Sequence, residues 1–135
     1  MIKHNMTKQP HVLIVEDDKF LLDMYVLKFN ERVFTVSTAF SGPEALDKLG
    51  KEKINPDLIL LDLVMPGMGG FEVLEKIKKE KLAPNATIVI LSNLGQKEDV
   101  DKGVALGADG YIVKASATPT EVVNRVSKIL EDKGS

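Results

Sequence analysis

The chain has 135 residues, 44% hydrophobic and 28% charged, the balance of one ordinary globular domain with a proper core. A formal net charge of -2 gives no bulk electrostatic reason to bind nucleic acid, and the absence of cysteine excludes disulfides, thiolate catalysis and cysteine-based zinc sites. No apolar run approaches the roughly 20 residues that a membrane helix needs, so the expected compartment is the cytoplasm.

Residues 1–10 are polar, lack the apolar core of a secretion signal, and read as a flexible leader to a domain over residues 11–131. Val12 to Val15 is a short aliphatic strand that terminates in Glu16, Asp17 and Asp18. Phe20, Leu21, Met24, Leu27 and Lys28 recur at helical spacing, so a helix follows. Phe34 to Ala39 reads as a second strand, more exposed because it carries Thr35, Ser37 and Thr38. Ser41, Pro43 and Glu44 supply a cap, an early proline and a first-turn acid to a helix that stops at Gly50.

Leu58 to Asp62 is the third strand, an unbroken aliphatic run ending in a carboxylate. Gly69 and Gly70 then precede an amphipathic helix with Phe71, Val73, Leu74 and Ile77 on its inner face. Thr87 to Leu91 is the fourth strand, Glu98 to Leu106 a short helix closed by Gly107, and Gly110 to Val113 the fifth strand. Thr118 to Glu121 opens a last helix with Val122, Val123, Val126, Ile129 and Leu130 inward, and residues 132–135 form a polar tail. Strand and helix thus alternate five times over short connections, which predicts an α/β fold with a doubly wound parallel sheet.

In such sheets ligands bind beyond the carboxyl ends of the strands. Strand one delivers Glu16, Asp17 and Asp18 there, strand three Asp62, strand four Ser92 and strand five Lys114. Clustered carboxylates repel one another, and a hard divalent cation such as Mg²⁺ relieves the conflict while neutralising an incoming phosphoryl group. Lys114 and Ser92 can hold further phosphoryl oxygens, which leaves Asp62 as the nucleophile that forms an acyl phosphate. Each residue also has a plainer use. Asp17 or Asp18 can cap the next helix, Asp62 can be a turn residue, Ser92 a loop residue and Lys114 a solvated lysine.

Read together, the chain from His11 to about Leu130 resembles the receiver domain of two-component response regulators. The resemblance rests on Leu13-Ile14-Val15-Glu16-Asp17-Asp18, on the run Asp62-Leu63-Val64-Met65-Pro66-Gly67-Met68-Gly69-Gly70, on Ile90-Leu91-Ser92, and on Gly107-Ala108-Asp109-Gly110-Tyr111-Ile112-Val113-Lys114. It implies a flavodoxin-like (βα)5 sheet in the order 2-1-3-4-5. It further implies that Asp62 takes a phosphoryl group from a sensor histidine kinase or histidine phosphotransfer protein, so the domain catalyses only its own phosphorylation and dephosphorylation. Asp18 would bind Mg²⁺ directly, Asp17 through water, and the Val64 carbonyl would complete the shell around Asp62. Lys114 would pair with the phosphoryl oxygens, Ser92 would move to bond them, and Tyr111 would turn inward as the aromatic switch; a half-buried edge-strand tyrosine is its plainer reading. The output surface would be the face of the Glu98–Leu106 helix, strand five and the last helix. Asp101, Lys102, Asp109, Tyr111, Glu121 and Arg125 lie on it and suit a homodimer or a downstream protein, with no nucleic-acid or membrane contact by this domain.

Two positions depart from the family pattern: Ala115 stands where proline is usual, which argues against a cis peptide costing about 3 kcal/mol, and Asn93 replaces a small residue. The rival readings are an aspartyl-nucleophile phosphohydrolase, a flavin carrier and a receiver-like binding scaffold. The first wants an acid where Val64 stands, the second a first loop free of Glu16-Asp17-Asp18, and the third a site with its residues missing.

Overall fold

The structure, a computed structural model, describes residues 9–134. Residues 1–8, most of the expected leader, lie outside the described residues, as does Ser135. The elements are β1 (His11–Val15), α1 (Lys19–Glu31), β2 (Thr35–Ala39), α2 (Gly42–Gly50), β3 (Leu58–Leu61), α3 (Gly70–Lys79), β4 (Thr87–Ser92), α4 (Lys97–Ala105), β5 (Gly110–Val113) and α5 (Pro119–Gly134), with a 3₁₀ turn at Lys114–Ser116. The five strands lie in the order β2-β1-β3-β4-β5, every pair parallel. This is the doubly wound, flavodoxin-like sheet that the alternation of elements and the resemblance predict.

Period-two alternation divides the strands between two cores. Leu13, Val15, Ile59, Leu61, Ile88 and Ile90 pack with α2 and α3 through Ala45, Leu49, Val73, Leu74 and Ile77. Val12, Ile14, Leu58, Leu60, Val89 and Leu91 pack on the other face with α1 and α5 through Leu22, Tyr25, Phe29, Val122, Val123 and Val126. Both faces of β3 and β4 are covered, which is why their sequences are aliphatic throughout rather than alternating. β2, at the edge, keeps Thr35 exposed and Val36 to Thr38 half-buried.

Local chemistry sets the helix starts. The Ser41 hydroxyl accepts from Glu44 N–H, and Pro43 sits in the first turn of α2. Thr118 and Glu121 exchange bonds at the start of α5, the Thr118 hydroxyl accepting at 3.1 Å and the Glu121 carboxylate at 2.8 Å.

Several boundaries differ from expectation for identifiable reasons. α1 buries Leu22, Tyr25 and Phe29, whereas Phe20 is 73% and Leu27 57% exposed, so its inner stripe is rotated from the expected one. β2 starts one residue late because Phe34 packs edge-on against Phe29, ring centroids 4.9 Å apart. α4 starts at Lys97, where Gln96 and Asp99 form a capping box. α5 continues to Gly134, through most of the segment expected to be a polar tail. Among the described residues no peptide bond is cis, the one at Ala115 included. None of their helices is long and apolar enough to cross a membrane.

Candidate functional site

The parallel register brings the carboxyl ends of β1, β3, β4 and β5 to one rim. Asp62 is the first residue past β3, and its N–H bonds the Val15 carbonyl at 3.1 Å, so the residue stays in line with the sheet. The residue is only 5% exposed, a placement that costs a carboxylate several kcal/mol unless it is compensated. The compensation is Lys114, just past β5, whose Nζ lies 3.1 Å from Asp62 Oδ2. The same ammonium reaches Glu16 Oε1 at 2.6 Å. Glu16 also accepts from the Asp18 N–H through Oε2 at 3.0 Å, so the buried acid at the end of β1 is held from two sides.

Burial raises the Glu16 carboxyl above its ordinary range, against the Lys114 and Asp18 hydrogen bonds, and the nearby Asp62 charge adds to the rise. Burial works against the Lys114 ammonium, yet the Glu16 hydrogen bond and the two carboxylate charges outweigh it and hold the amine above its ordinary value. Tyr25, buried on α1, is raised by desolvation and also feels the charges of Lys114, Glu16 and Asp62.

Asp17 is exposed beside this buried trio, and Glu16, Asp17 and Asp62 each offer a carboxylate oxygen within 4.8 Å of the others. Three carboxylates against one ammonium leave an excess of negative charge, and an all-oxygen donor set with one solvent-facing member suits a hard divalent cation that keeps its waters. Asp18 lies outside this group. Its Oδ1 accepts from Leu21 N–H at 3.0 Å, capping α1, so of the two expected ligands on this loop the structure brings only Asp17 to Asp62. Val64 N–H reaches Asp62 Oδ1 at a long 3.4 Å.

Ser92 is fully buried at the end of β4, and its Oγ accepts from Leu94 N–H at 3.3 Å. Tyr111 is half-buried, and its hydroxyl donates to the Leu94 carbonyl. The two expected switch residues therefore hold the same residue of the β4–α4 loop, one at each end of its backbone. Burial first, then the Asp99 and Asp62 charges, raise the Tyr111 hydroxyl.

Two contributions escaped the sequence reading. Glu16, counted there among the strand-end acids without a role of its own, is the second partner of Lys114. Gly70 closes the run that carries the resemblance and opens the helix, but the sequence gives it no contact of its own. A Cβ there would stand 2.1 Å from the Asp62 carbonyl oxygen and 2.8 Å from Leu63 Cα, so only glycine lets α3 begin against the backbone of Asp62. The Gly69-Gly70 pair was the available signal.

In a doubly wound sheet ligands bind beyond the carboxyl ends of the strands, and here that rim carries acids, a hydroxyl and an amine. Residues 12–127 match the model of the response regulator receiver domain, and the chain belongs to that family. It is 34% identical over 125 residues to the chemotaxis protein CheY of Halobacterium salinarum, covering 93% of this chain and 98% of that one. It is 32% identical over 121 residues to the phosphate regulon transcriptional regulatory protein PhoB of Rhizobium meliloti, covering 90% of this chain but only 52% of that relative, so it spans about half the regulator's length. Among solved structures, a CheY-like receiver domain protein from Methanospirillum hungatei superposes with a TM-score of 0.84 at 27% identity, over 94% of this chain and 98% of that one.

Proposed function

We propose that Asp62 is a phosphoacceptor, loaded by a sensor histidine kinase or histidine phosphotransfer protein in the cytoplasm. The observation that carries this reading is the Asp62 carboxylate itself: buried, tied to Lys114 at 3.1 Å, and within 4.8 Å of the Glu16 and Asp17 oxygens. Glu16, Asp17, Asp62 and the Val64 carbonyl would hold Mg²⁺, which supplies neutralisation of phosphoryl charge; Asp18 is assigned to the cap of α1 instead.

Oδ2 is engaged by Lys114, and Oδ1 holds only the long Val64 bond, so Oδ1 is the freer nucleophile. It attacks phosphorus, the bond from phosphorus to the donor's imidazole nitrogen breaks, and the departing ring keeps the electron pair and takes up a proton. Lys114 then turns to a phosphoryl oxygen, and Ser92 leaves Leu94 N–H to donate to another. Releasing one end of Leu94 weakens the anchor of the Tyr111 hydroxyl at the other, and the ring can fill the space Ser92 vacates. The face of α4, β5 and α5 would carry this change to a downstream protein or a second copy of the chain.

Incubation with acetyl phosphate and Mg²⁺, followed by intact-mass analysis, tests the assignment. One phosphoryl group is expected on the wild type and none on Asp62→Asn; uptake by the variant, or none by either, would reject it.

A further inference from the structure

The opposite rim of the sheet carries a second feature, unrelated to phosphoryl chemistry. A pocket of about 220 Å³ lies where the end of α3 meets the start of β4, with Ile77, Leu82 and Ile88 as its apolar floor and Lys78 and Lys81 in its wall. We propose that it is a docking site for an acidic peptide segment of a partner protein, which seats one large aliphatic side chain between these lysines.

Charge is the first argument. Lys76, Lys78, Lys79 and Lys81 crowd into six residues with Glu80 as the sole acid among them. Several lysines elsewhere pair with an acid one helical turn away: Lys19 with Asp23, Lys48 with Glu44, Lys51 with Asp47 and Lys97 with Asp101. Among the described residues, neither Lys78 nor Lys81, the two lysines that line the pocket, has an ion-pair partner, and neither do Lys76 and Lys79 beside them in the chain. A protein of net charge -2 thus keeps two lysines without ion-pair partners in the wall of one recess.

Backbone conformation is the second. Lys81 has φ 56°, in the left-handed region where glycine is the unstrained choice at a helix end. The macrodipole of α3 accounts for lysines within its last turn; it does not explain Lys81, which lies beyond that turn with a left-handed backbone in the wall of the pocket. Lys78 is also held in place, since its stem lies against Gly107, where an added Cβ would meet Lys78 Cε at 2.7 Å.

Size selects the occupant. The cavity is below the roughly 300–1,000 Å³ of small-molecule sites and suits a single side chain. Nucleic acid would satisfy the lysines but leave the apolar floor empty, and a flat membrane surface does not enter a recess. The inference does not depend on Asp62 being phosphorylated.

The test is a methyl-detected NMR titration of the full chain with a synthetic acidic peptide carrying one central leucine. Its counterpart with serine for leucine, short duplex DNA and phosphatidylserine vesicles are run in parallel. Saturable shifts are expected at Ile77, Leu82 and Ile88. Both the serine exchange and the pair Lys78→Glu with Lys81→Glu should weaken binding by about tenfold or more. Lys78→Gln, which removes charge without reversing it, gives the same direction of change should the double variant fail to fold. No saturation by the leucine peptide, equal binding of the serine peptide, or equal binding of DNA or vesicles would overturn the proposal.

Discussion

Lys114 bridges two buried carboxylates, so its removal does more than delete an attraction. In Lys114→Ala, Glu16 and Asp62 face each other with no cation between them, and breaking such a buried arrangement costs about 3 kcal/mol. The loss has a defined pH dependence. The Glu16 carboxyl is already raised by burial, and losing the Lys114 hydrogen bond raises it further. An acid raised in the folded state binds more protons folded than unfolded, so stability falls as pH rises through its titration. Urea unfolding should therefore show a deficit that is small near the ordinary glutamate value of 4.5 and grows to its full size by neutral pH. In the wild type the Lys114 amine is itself raised, so its contribution is intact below 10.5 and lost as pH climbs through the folded value. A pH-independent deficit in the variant would mean that Lys114 acts by packing alone. Asp62, Lys114 and Ser92 were legible in the sequence because strand ends are fixed by aliphatic runs. The division among Glu16, Asp17 and Asp18 was not, because a helix cap and a member of a carboxylate cluster are the same residue type, and only the first turn of α1 decides which of them caps it.

The elements carry their own strains and their own ambiguities. α1 has apolar residues on several sides, and the structure buries Leu22, Tyr25 and Phe29 rather than the expected stripe through Phe20, Leu21, Met24 and Leu27. Periodicity alone cannot choose between stripes when tertiary packing decides which face meets the sheet. α1 ends with Phe34 N–H bonded to the Phe29 carbonyl, which puts Val33 at φ 65° and 60% exposed. A β-branched residue there is strained by roughly 1–2 kcal/mol, partly offset by the flexibility that glycine adds to the unfolded chain. Val33→Gly is expected to raise stability by about 0.5–1 kcal/mol in thermal or urea melts. α3 shows the reverse case. Gly70→Ala forces a methyl into the Asp62 carbonyl, so stability should drop by about 2 kcal/mol or more. The displaced backbone should also slow phosphoryl uptake from acetyl phosphate, by roughly tenfold to a hundredfold. A variant that is destabilised yet loads at the wild-type rate would separate the α3 contact from the chemistry.

On the scale of the whole molecule, the two cores are not equally generous to their helices. α1, α3 and α5 each bury a row of large side chains, whereas the only buried residue of α4 is Gly103. α4 approaches the sheet there so closely that an added Cβ would meet Ile90 Cδ1 at 2.7 Å and Tyr111 Cδ2 at 3.4 Å. Beyond that contact it is held by Lys102 over the Phe71 ring at 4.6 Å and by its capping box, both at the surface. An element with so little buried apolar area opens at a free energy well below global unfolding. Native-state hydrogen exchange should then find α4 amides exchanging ahead of those in the middle of α1, α3 and α5. The same weakness makes α4 the element most easily biased, because its inner face rests on Tyr111 and its entry loop hangs from Ser92 and Tyr111 through Leu94. Beryllofluoride with Mg²⁺ mimics the phosphoryl group without covalent transfer, and it should change α4 protection more than that of any other helix. Equal changes in all helices would point to global stabilisation by bound ligand; unchanged α4 protection with Asp62 occupied would separate the acceptor site from this helix and return the output surface to another face.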